Sequence, residues 1–357
     1  MATQHPDNAS APYWELDGDG FVSAQEEVVE AYSAYAELGV DEYMWDWEGK
    51  YVDEAVVERF FSEYHDYFKK HQLGKDHFLT FRIPNIWQEK GYSLARAFMA
   101  MLTAADMARD LKMGERPLFE VILPMTTSAN QLLHIQTTFT KLAKVKHRLF
   151  ESKTSAFNYV EVIPLVEEVK QMFGIRGLLE RYVDLHKIYY KERPAYLRPF
   201  LARSDPALIS GIIPAVIGNK IALSEMYQWS DQTGIPVYPI IGTGSLPFRG
   251  SCAPDNIDKF LEEYRGIRTV TVQSAFRYDY PLKQVKTAIK QLQQRLPHST
   301  PQYFGKRELG LVNVVVRKAE QHYRTAITSV AKDMFKVVGA VPARRERRLH
   351  IGLLGYG

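Results

Sequence analysis

With 357 residues, 46% hydrophobic and 24% charged, the chain has soluble globular composition and the length of one large α/β domain or two smaller ones. Its 45 basic and 42 acidic residues leave a net charge of +3, too balanced to point to nucleic acid. The single cysteine, Cys252, excludes an intrachain disulfide and a cysteine-rich zinc site and fits a reducing, cytoplasmic compartment; MATQHPDNAS carries no apolar leader, and no run is long enough for a bilayer.

Residues 1–19 lack periodicity and read as an irregular terminal segment, although Thr3-Gln4-His5-Pro6-Asp7-Asn8 sets His, Asp and Asn around a proline. Ser23 and Glu26 have capping-box spacing, ahead of a helix that runs to about Leu38 and stops at Gly39. Residues 41–50, DEYMWDWEGK, crowd two tryptophans, four acids and a lysine into ten positions, and helical signals resume from Val52 to Lys70. Thereafter short apolar runs alternate with longer helical segments such as 129–151 and 254–266. The runs are 77–83 (HFLTFRI), 118–123 (LFEVIL), 159–165 (YVEVIPL), 197–202 (LRPFLA), 237–241 (VYPII) and 269–275 (TVTVQSA). Near-continuous apolar strands separated by helices predict a parallel sheet covered on both faces. No low-complexity linker divides the chain, so residues 1–357 read as a single α/β catalytic domain.

The fifth run, entered from Ile235, ends abruptly in Gly242-Thr243-Gly244-Ser245, with Arg249-Gly250-Ser251 close behind. Glycines let backbone N–H groups approach a ligand, inward-turned amides form an anion nest, and the arginine fork suits phosphate or carboxylate. A tight strand-to-helix turn with a solvated arginine fits the same residues. This glycine turn comes late and matches neither the Rossmann fingerprint nor a P-loop, so the alternation favours an α/β, (β/α)8-type TIM-like barrel over an open doubly wound sheet.

Barrel enzymes place their chemistry at the C-terminal ends of the strands. At those ends fall Arg82 with Asn85, Thr126-Thr127-Ser128, Glu167 with Glu168, Arg203-Ser204-Asp205, Gly244-Ser245 with Arg249, and Gln273-Ser274 with Arg277. Carboxylates on separate strands suit Mg²⁺ or Mn²⁺, and arginines suit a phosphorylated substrate. Each has a plainer reading. Glu167 and Glu168 fit first-turn acids of a helix, Asp205 before Pro206 fits an N-cap, and Arg277 fits an ion pair with Asp279. No Ser-His-Asp or thiol arrangement is evident.

Thr3-Gln4-His5-Pro6-Asp7-Asn8, Trp45-Asp46-Trp47-Glu48-Gly49-Lys50, Glu161-Val162-Ile163-Pro164-Leu165-Val166-Glu167 and Gln273-Ser274-Ala275-Phe276-Arg277-Tyr278-Asp279-Tyr280-Pro281 together resemble the archaeal-type phosphoenolpyruvate carboxylases, over essentially the whole chain. The resemblance implies an α/β barrel that condenses phosphoenolpyruvate with bicarbonate to oxaloacetate and phosphate, using Mg²⁺ or Mn²⁺. It implies a cytoplasmic homotetramer under aspartate or malate control, with no nucleic-acid or membrane partner. By the same resemblance Glu167 and Asp205 hold the metal, and His5 takes a proton from carboxyphosphate. Arg249, with Gly244, Ser245 and Gly250, cradles the transferring phosphoryl group; Arg277 is a further active-site arginine and Arg82 a phosphate-binding one. Residues 1–20 would then fold over the barrel mouth.

Two positions depart from the larger carboxylases: Thr243 stands for an arginine and Leu208 for a lysine, so one phosphate contact and one basic group must come from elsewhere. Residues 347–357 read as a barrel strand cut at its C-terminal end, so a C-terminally truncated chain and an incomplete barrel are expected. Two alternatives are a metal-dependent barrel lyase acting on phosphoenolpyruvate or oxaloacetate without bicarbonate, and an inactive or regulatory truncated homologue.

Overall fold

Ser23 and Glu26 build the reciprocal cap their spacing predicts. The Glu26 amide donates to Ser23 Oγ at 3.3 Å, and the Ser23 amide donates to Glu26 Oε2 at 2.9 Å. The helix Glu26–Ser33 continues as a π-helical turn, Ala34–Leu38, and ends on Gly39 at φ +76°, a left-handed conformation that costs glycine no Cβ clash. The computed structural model describes residues 1–3, 21–48, 51–88, 91–114, 116–150, 159–273 and 275–338; His5, Ser274 and the strand expected at 347–357 lie outside them.

Eight parallel strands are hydrogen-bonded in chain order. They are β1 (Ala2–Thr3), β2 (Glu42–Asp46), β3 (Phe78–Arg82), β4 (Glu120–Leu123), β5 (Glu161–Val166), β6 (Phe200–Ala202), β7 (Ile240–Gly242) and β8 (Thr269–Val270). A helix occupies every crossover, from Glu26–Ser33 between β1 and β2 to Ile257–Glu263 between β7 and β8. Parallel strands in sequence order with helical crossovers are the topology of the (β/α)8 class, the fold expected from the alternation. Every residue of β2 and of β4 is buried, as strands covered on both faces require.

Six of the strands sit within or overlap the predicted runs. Three findings correct or extend the reading. Residues 1–3 are not irregular: Ala2 and Thr3 are 0% exposed and pair with Tyr43 and Met44 as β1. Residues 42–46 are a strand despite their acids, because neighbouring β3 answers those acids. Thr80 donates its hydroxyl to Glu42 Oε1 at 2.5 Å, and Arg82 stands in register with Asp46. The predicted strand 269–275 is also shorter than expected, since the chain winds into a π-helical turn at Ala275–Asp279.

Packing divides the described residues into two compact units, the first holding Met1–Pro124 and Asn130–Pro164, the second Met125–Ala129 and residues 165–338. In the first, Tyr35, Tyr43, Trp45, Phe60, Phe68 and Phe81 are buried to 2% exposure or less. Each such ring removes about 150–250 Å² from water and carries much of the core energy. In the second, Leu201, Ile240, Ile241, Trp229 and Phe260 do the same. No described helix is long and apolar enough to cross a membrane.

Candidate active site

In the second unit the two expected metal carboxylates leave neighbouring strands. Val166 pairs with Leu201, Glu167 directly follows β5, and Asp205 lies in the first turn of the helix Ser204–Ser210 just past β6. Glu167 Oε2 accepts the Met125 amide at 2.7 Å. That amide is aimed by an unusual backbone: Met125 has φ +49°, and the next amide, of Thr126, donates to Leu165 O at 3.0 Å. Glu168, by contrast, is exposed at the N-cap of the helix Val169–Phe173. Asp205 is not an N-cap; Arg203 holds that position.

The glycine loop after β7 is closed on itself. The Gly244 amide donates to Arg249 O at 2.8 Å, the Gly250 amide to Pro247 O at 3.1 Å, and the Ser251 amide to Leu246 O at 3.1 Å. The expectation that the Gly244 amide faces a ligand is therefore corrected. Gly244 serves differently: a Cβ there would stand 2.8 Å from Arg249 Nε and 3.1 Å from Gln273 Oε1, so its lack of a side chain makes room for the Arg249 guanidinium. Gly250, at φ +98°, ends the short turn Pro247–Arg249 in a conformation that favours glycine. Ser245 is half-buried at the bend between.

Arg249 lies across the loop with Nη2 donating to Gln273 Oε1 at 2.7 Å. The turn that presents it is braced by Arg203, 1% exposed, which donates to Phe248 O at 2.8 Å, to Pro247 O at 3.3 Å and to Tyr264 Oη at 2.9 Å. Arg277 sits inside the π-helical turn, 4% exposed, its guanidinium 4.7 Å from the Tyr278 ring centroid and donating to that tyrosine's hydroxyl. Partial burial raises the Asp279 carboxyl, the opposite of what an ion pair with Arg277 would do. Cys252 is buried, and burial pushes its thiol up to about 12, so it is no nucleophile.

The first unit holds Arg82 at the end of β3. Its Nε donates to Asp46 Oδ1 at 2.9 Å and its Nη2 to Asp46 Oδ2 at 2.6 Å, while Nη1 stands 3.0 Å from Glu48 Oε2. A guanidinium held bidentate by one carboxylate and capped by another, all three side chains at 8% exposure or less, is a buried ion triad. Its charge is already answered. Asn85 is likewise engaged, donating to Pro124 O at 2.8 Å and accepting the Trp87 amide at 3.0 Å.

Carboxylates on adjacent strand ends, with arginines after the next two strands, suit a cation and an anionic substrate together. The profile of the family described as phosphoenolpyruvate carboxylase matches residues 1–357. The chain belongs to the phosphoenolpyruvate carboxylase family. Curated phosphoenolpyruvate carboxylases similar to it include one from Oenococcus oeni, 47% identical over all of this chain and 71% of its own length. Another is from Metallosphaera sedula, 38% identical over all of this chain and 70% of its own length. That of Pyrococcus abyssi is 37% identical over all of this chain and 75% of its own length. Among solved structures, a Haloferax volcanii malate synthase aligns over 91% of this chain and 97% of its own, with a TM-score of 0.46 and 10% identity, too low a likeness to bear on function.

Within a phosphoenolpyruvate carboxylase the two departures acquire physical form. Thr243, where an arginine was expected, is 0% exposed and locked to β8: its amide donates to Thr271 Oγ1 at 2.8 Å, and its hydroxyl to Thr271 O at 3.3 Å. An arginine there would break the buried hydroxyl contact to Thr271. Leu208 is half-buried in the helix after β6, its carbonyl accepting the Tyr323 hydroxyl at 2.7 Å. Sequence reasoning noted Arg203 and Gln273 without assigning them a part; the signal was their place at the C-terminal ends of strand runs, Arg203 directly after β6 and Gln273 shortly after β8.

Proposed function

We propose that this protein carboxylates phosphoenolpyruvate with bicarbonate, forming oxaloacetate and phosphate. The observation that carries the reading is the family match over residues 1–357. The carboxylate and arginine arrangement of the second unit supports it.

Glu167 and Asp205 would hold Mg²⁺ or Mn²⁺. Both are hard oxygen donors on neighbouring strand ends, and the Met125 amide orients one of them as an outer partner does. Among the described residues no group of three or more His, Cys, Asp or Glu converges, so water and substrate oxygens would complete the shell, the habit of Mg²⁺. When bound, the cation supplies Lewis-acid stabilisation of negative oxygen.

The chain's own residues do the rest. A bicarbonate oxygen attacks phosphorus while the bond from phosphorus to the enol oxygen breaks, giving carboxyphosphate and the enolate of pyruvate. Arg249 binds the phosphoryl oxygens as charge shifts, fixed electrostatic support of the kind that dominates phosphoryl transfer. Arg277 holds the substrate anion beside it. His5 accepts the carboxyphosphate proton, phosphate leaves, and the released CO₂ is attacked by the enolate carbon. Imidazole suits that step because its ordinary pKa lies near neutrality. In sequence His5 stands shortly after Thr3, the last residue of β1. Arg82, already held by Asp46 and Glu48, is left out of this set. Assembly as a homotetramer and an aspartate or malate effector rest on the family resemblance; the cytoplasmic reading rests also on the single cysteine, and the single catalytic domain on the lack of a low-complexity linker.

The test is product partitioning. With bicarbonate omitted, neither phosphate nor oxaloacetate forms; phosphate or carbon–carbon chemistry without it would favour the lyase alternative. His5→Asn keeps bicarbonate-dependent phosphate release and loses oxaloacetate. If both products fall together, His5 is not the proton acceptor. Glu167→Gln and Asp205→Asn each weaken Mn²⁺ binding about tenfold or more, and unchanged affinity in both removes them as ligands.

A further inference from the structure

Gln273 connects the two arginines after β7 and β8. Its side-chain oxygen accepts from Arg249 Nη2 at 2.7 Å, while its main-chain carbonyl accepts the Phe276 amide at 3.0 Å and the Arg277 amide at 3.2 Å. One residue thus fixes the Arg249 guanidinium and starts the turn that carries Arg277. A guanidinium can only donate, so the amide of Gln273 has one workable orientation, oxygen toward the arginine. The side chain is held in that orientation by its surroundings, being 9% exposed and beside the Thr243–Thr271 lock that joins β7 to β8.

We propose that Gln273 is the positioning residue that keeps Arg249 in register with Arg277, and that its neutrality adds no negative charge of its own beside the substrate phosphate. This rests on the reading of Arg249 as a phosphoryl-binding arginine. The physical argument is a contrast within the molecule. Arg82 is held by Asp46 and Glu48, and two carboxylates more than cancel its charge. An amide oxygen orients a guanidinium through one hydrogen bond and cancels nothing. A carboxylate at position 273 would hold the arginine equally well and compete with the substrate for it.

The experiment compares Gln273→Glu, Gln273→Met and Arg249→Ala in steady-state kinetics and in calorimetric titration with inorganic phosphate. Gln273→Glu keeps shape and acceptor but adds charge; it is expected to raise the phosphate dissociation constant and the KM for phosphoenolpyruvate about tenfold. Gln273→Met keeps neutrality and length but cannot accept as the amide does; kcat is expected to fall about tenfold with phosphate affinity within about threefold of wild type. In an Arg249→Ala background the Gln273→Glu effect on phosphate should vanish, since the two act as one unit. Folded Gln273→Glu with wild-type phosphate affinity, or Gln273→Met with wild-type kcat, overturns the proposal, as does a Gln273→Glu effect that persists without Arg249. If Gln273→Glu does not fold, Gln273→Met decides. If Arg249→Ala itself binds phosphate and turns over as wild type, the underlying reading of Arg249 fails instead.

Discussion

Replacing Gly244 by alanine should move stability and activity in opposite directions. The φ of Gly244 lies outside the left-handed region, so its backbone accepts an L-residue without strain. The added methyl meets side-chain atoms: Arg249 Nε at 2.8 Å, Arg249 Cδ at 3.1 Å and Gln273 Oε1 at 3.1 Å, where ordinary contact begins near 3.4 Å. The guanidinium must yield by about half an ångström, which a long side chain can do without disturbing the fold. Folding stability is then expected to rise by about 0.4–1 kcal/mol, because alanine restricts the unfolded chain more than glycine does. A misplacement of about 1 Å costs on the order of 100-fold in rate, so half of that costs about tenfold. Oxaloacetate formation coupled to malate dehydrogenase and NADH reads the rate, and urea denaturation reads the stability. Full activity with the midpoint raised would show that Arg249 need not occupy the space over Gly244. A fall in both would show that the clash is borne by the fold instead.

Arg82→Ala should destabilise the protein by about 3–5 kcal/mol, because it removes the guanidinium that pairs with two buried carboxylates, Asp46 at 0% and Glu48 at 7% exposure. If instead the denaturation midpoint holds and only the KM for phosphoenolpyruvate rises, Arg82 serves the substrate after all. His77 gives a pH signature. Burial, and then the neighbouring His71, hold its pKa below the ordinary 6.5, while its Nε2 lies 2.9 Å from the Tyr67 hydroxyl. The unfolded chain therefore takes up the proton first, and this contribution to stability, present above about pH 6.5, is lost as pH falls through the folded value. His77→Gln should flatten the midpoint-against-pH curve below about pH 6.5, and curves that stay parallel would refute the assignment.

The alternation of apolar runs and helices made the fold class legible, because strands buried on both faces cannot hide their composition. What escaped was set by partners distant in sequence. No strand was assigned to residues 41–50, whose acids Glu42, Asp46 and Glu48 are answered by Thr80 and Arg82 of the next strand. Yet the alternation of acids with Tyr43, Trp45 and Trp47 already had a strand's period of two. β1 is two residues long, too short for any periodicity to register. At the candidate site, Gly244 plays a part other than the one expected. Gly244 was read as exposing an amide, whereas it makes room for a side chain that closes over it. Thr243 could not be understood as a departure until Thr271 stood opposite, since a buried cross-strand lock leaves no local trace.

Cys252 turns the loop into its own reporter. It is the chain's only cysteine, 1% exposed, and its amide donates to Gly244 O at 2.8 Å at the foot of the Arg249 turn. With the thiol pushed up to about 12 by burial, it stays protonated near pH 7 while the loop is closed. Alkylating reagents therefore react in proportion to the population in which this segment is open. A single sulfur, silent in the closed protein, counts how often the ground beneath Arg249 gives way, and saturation with phosphoenolpyruvate should slow that count.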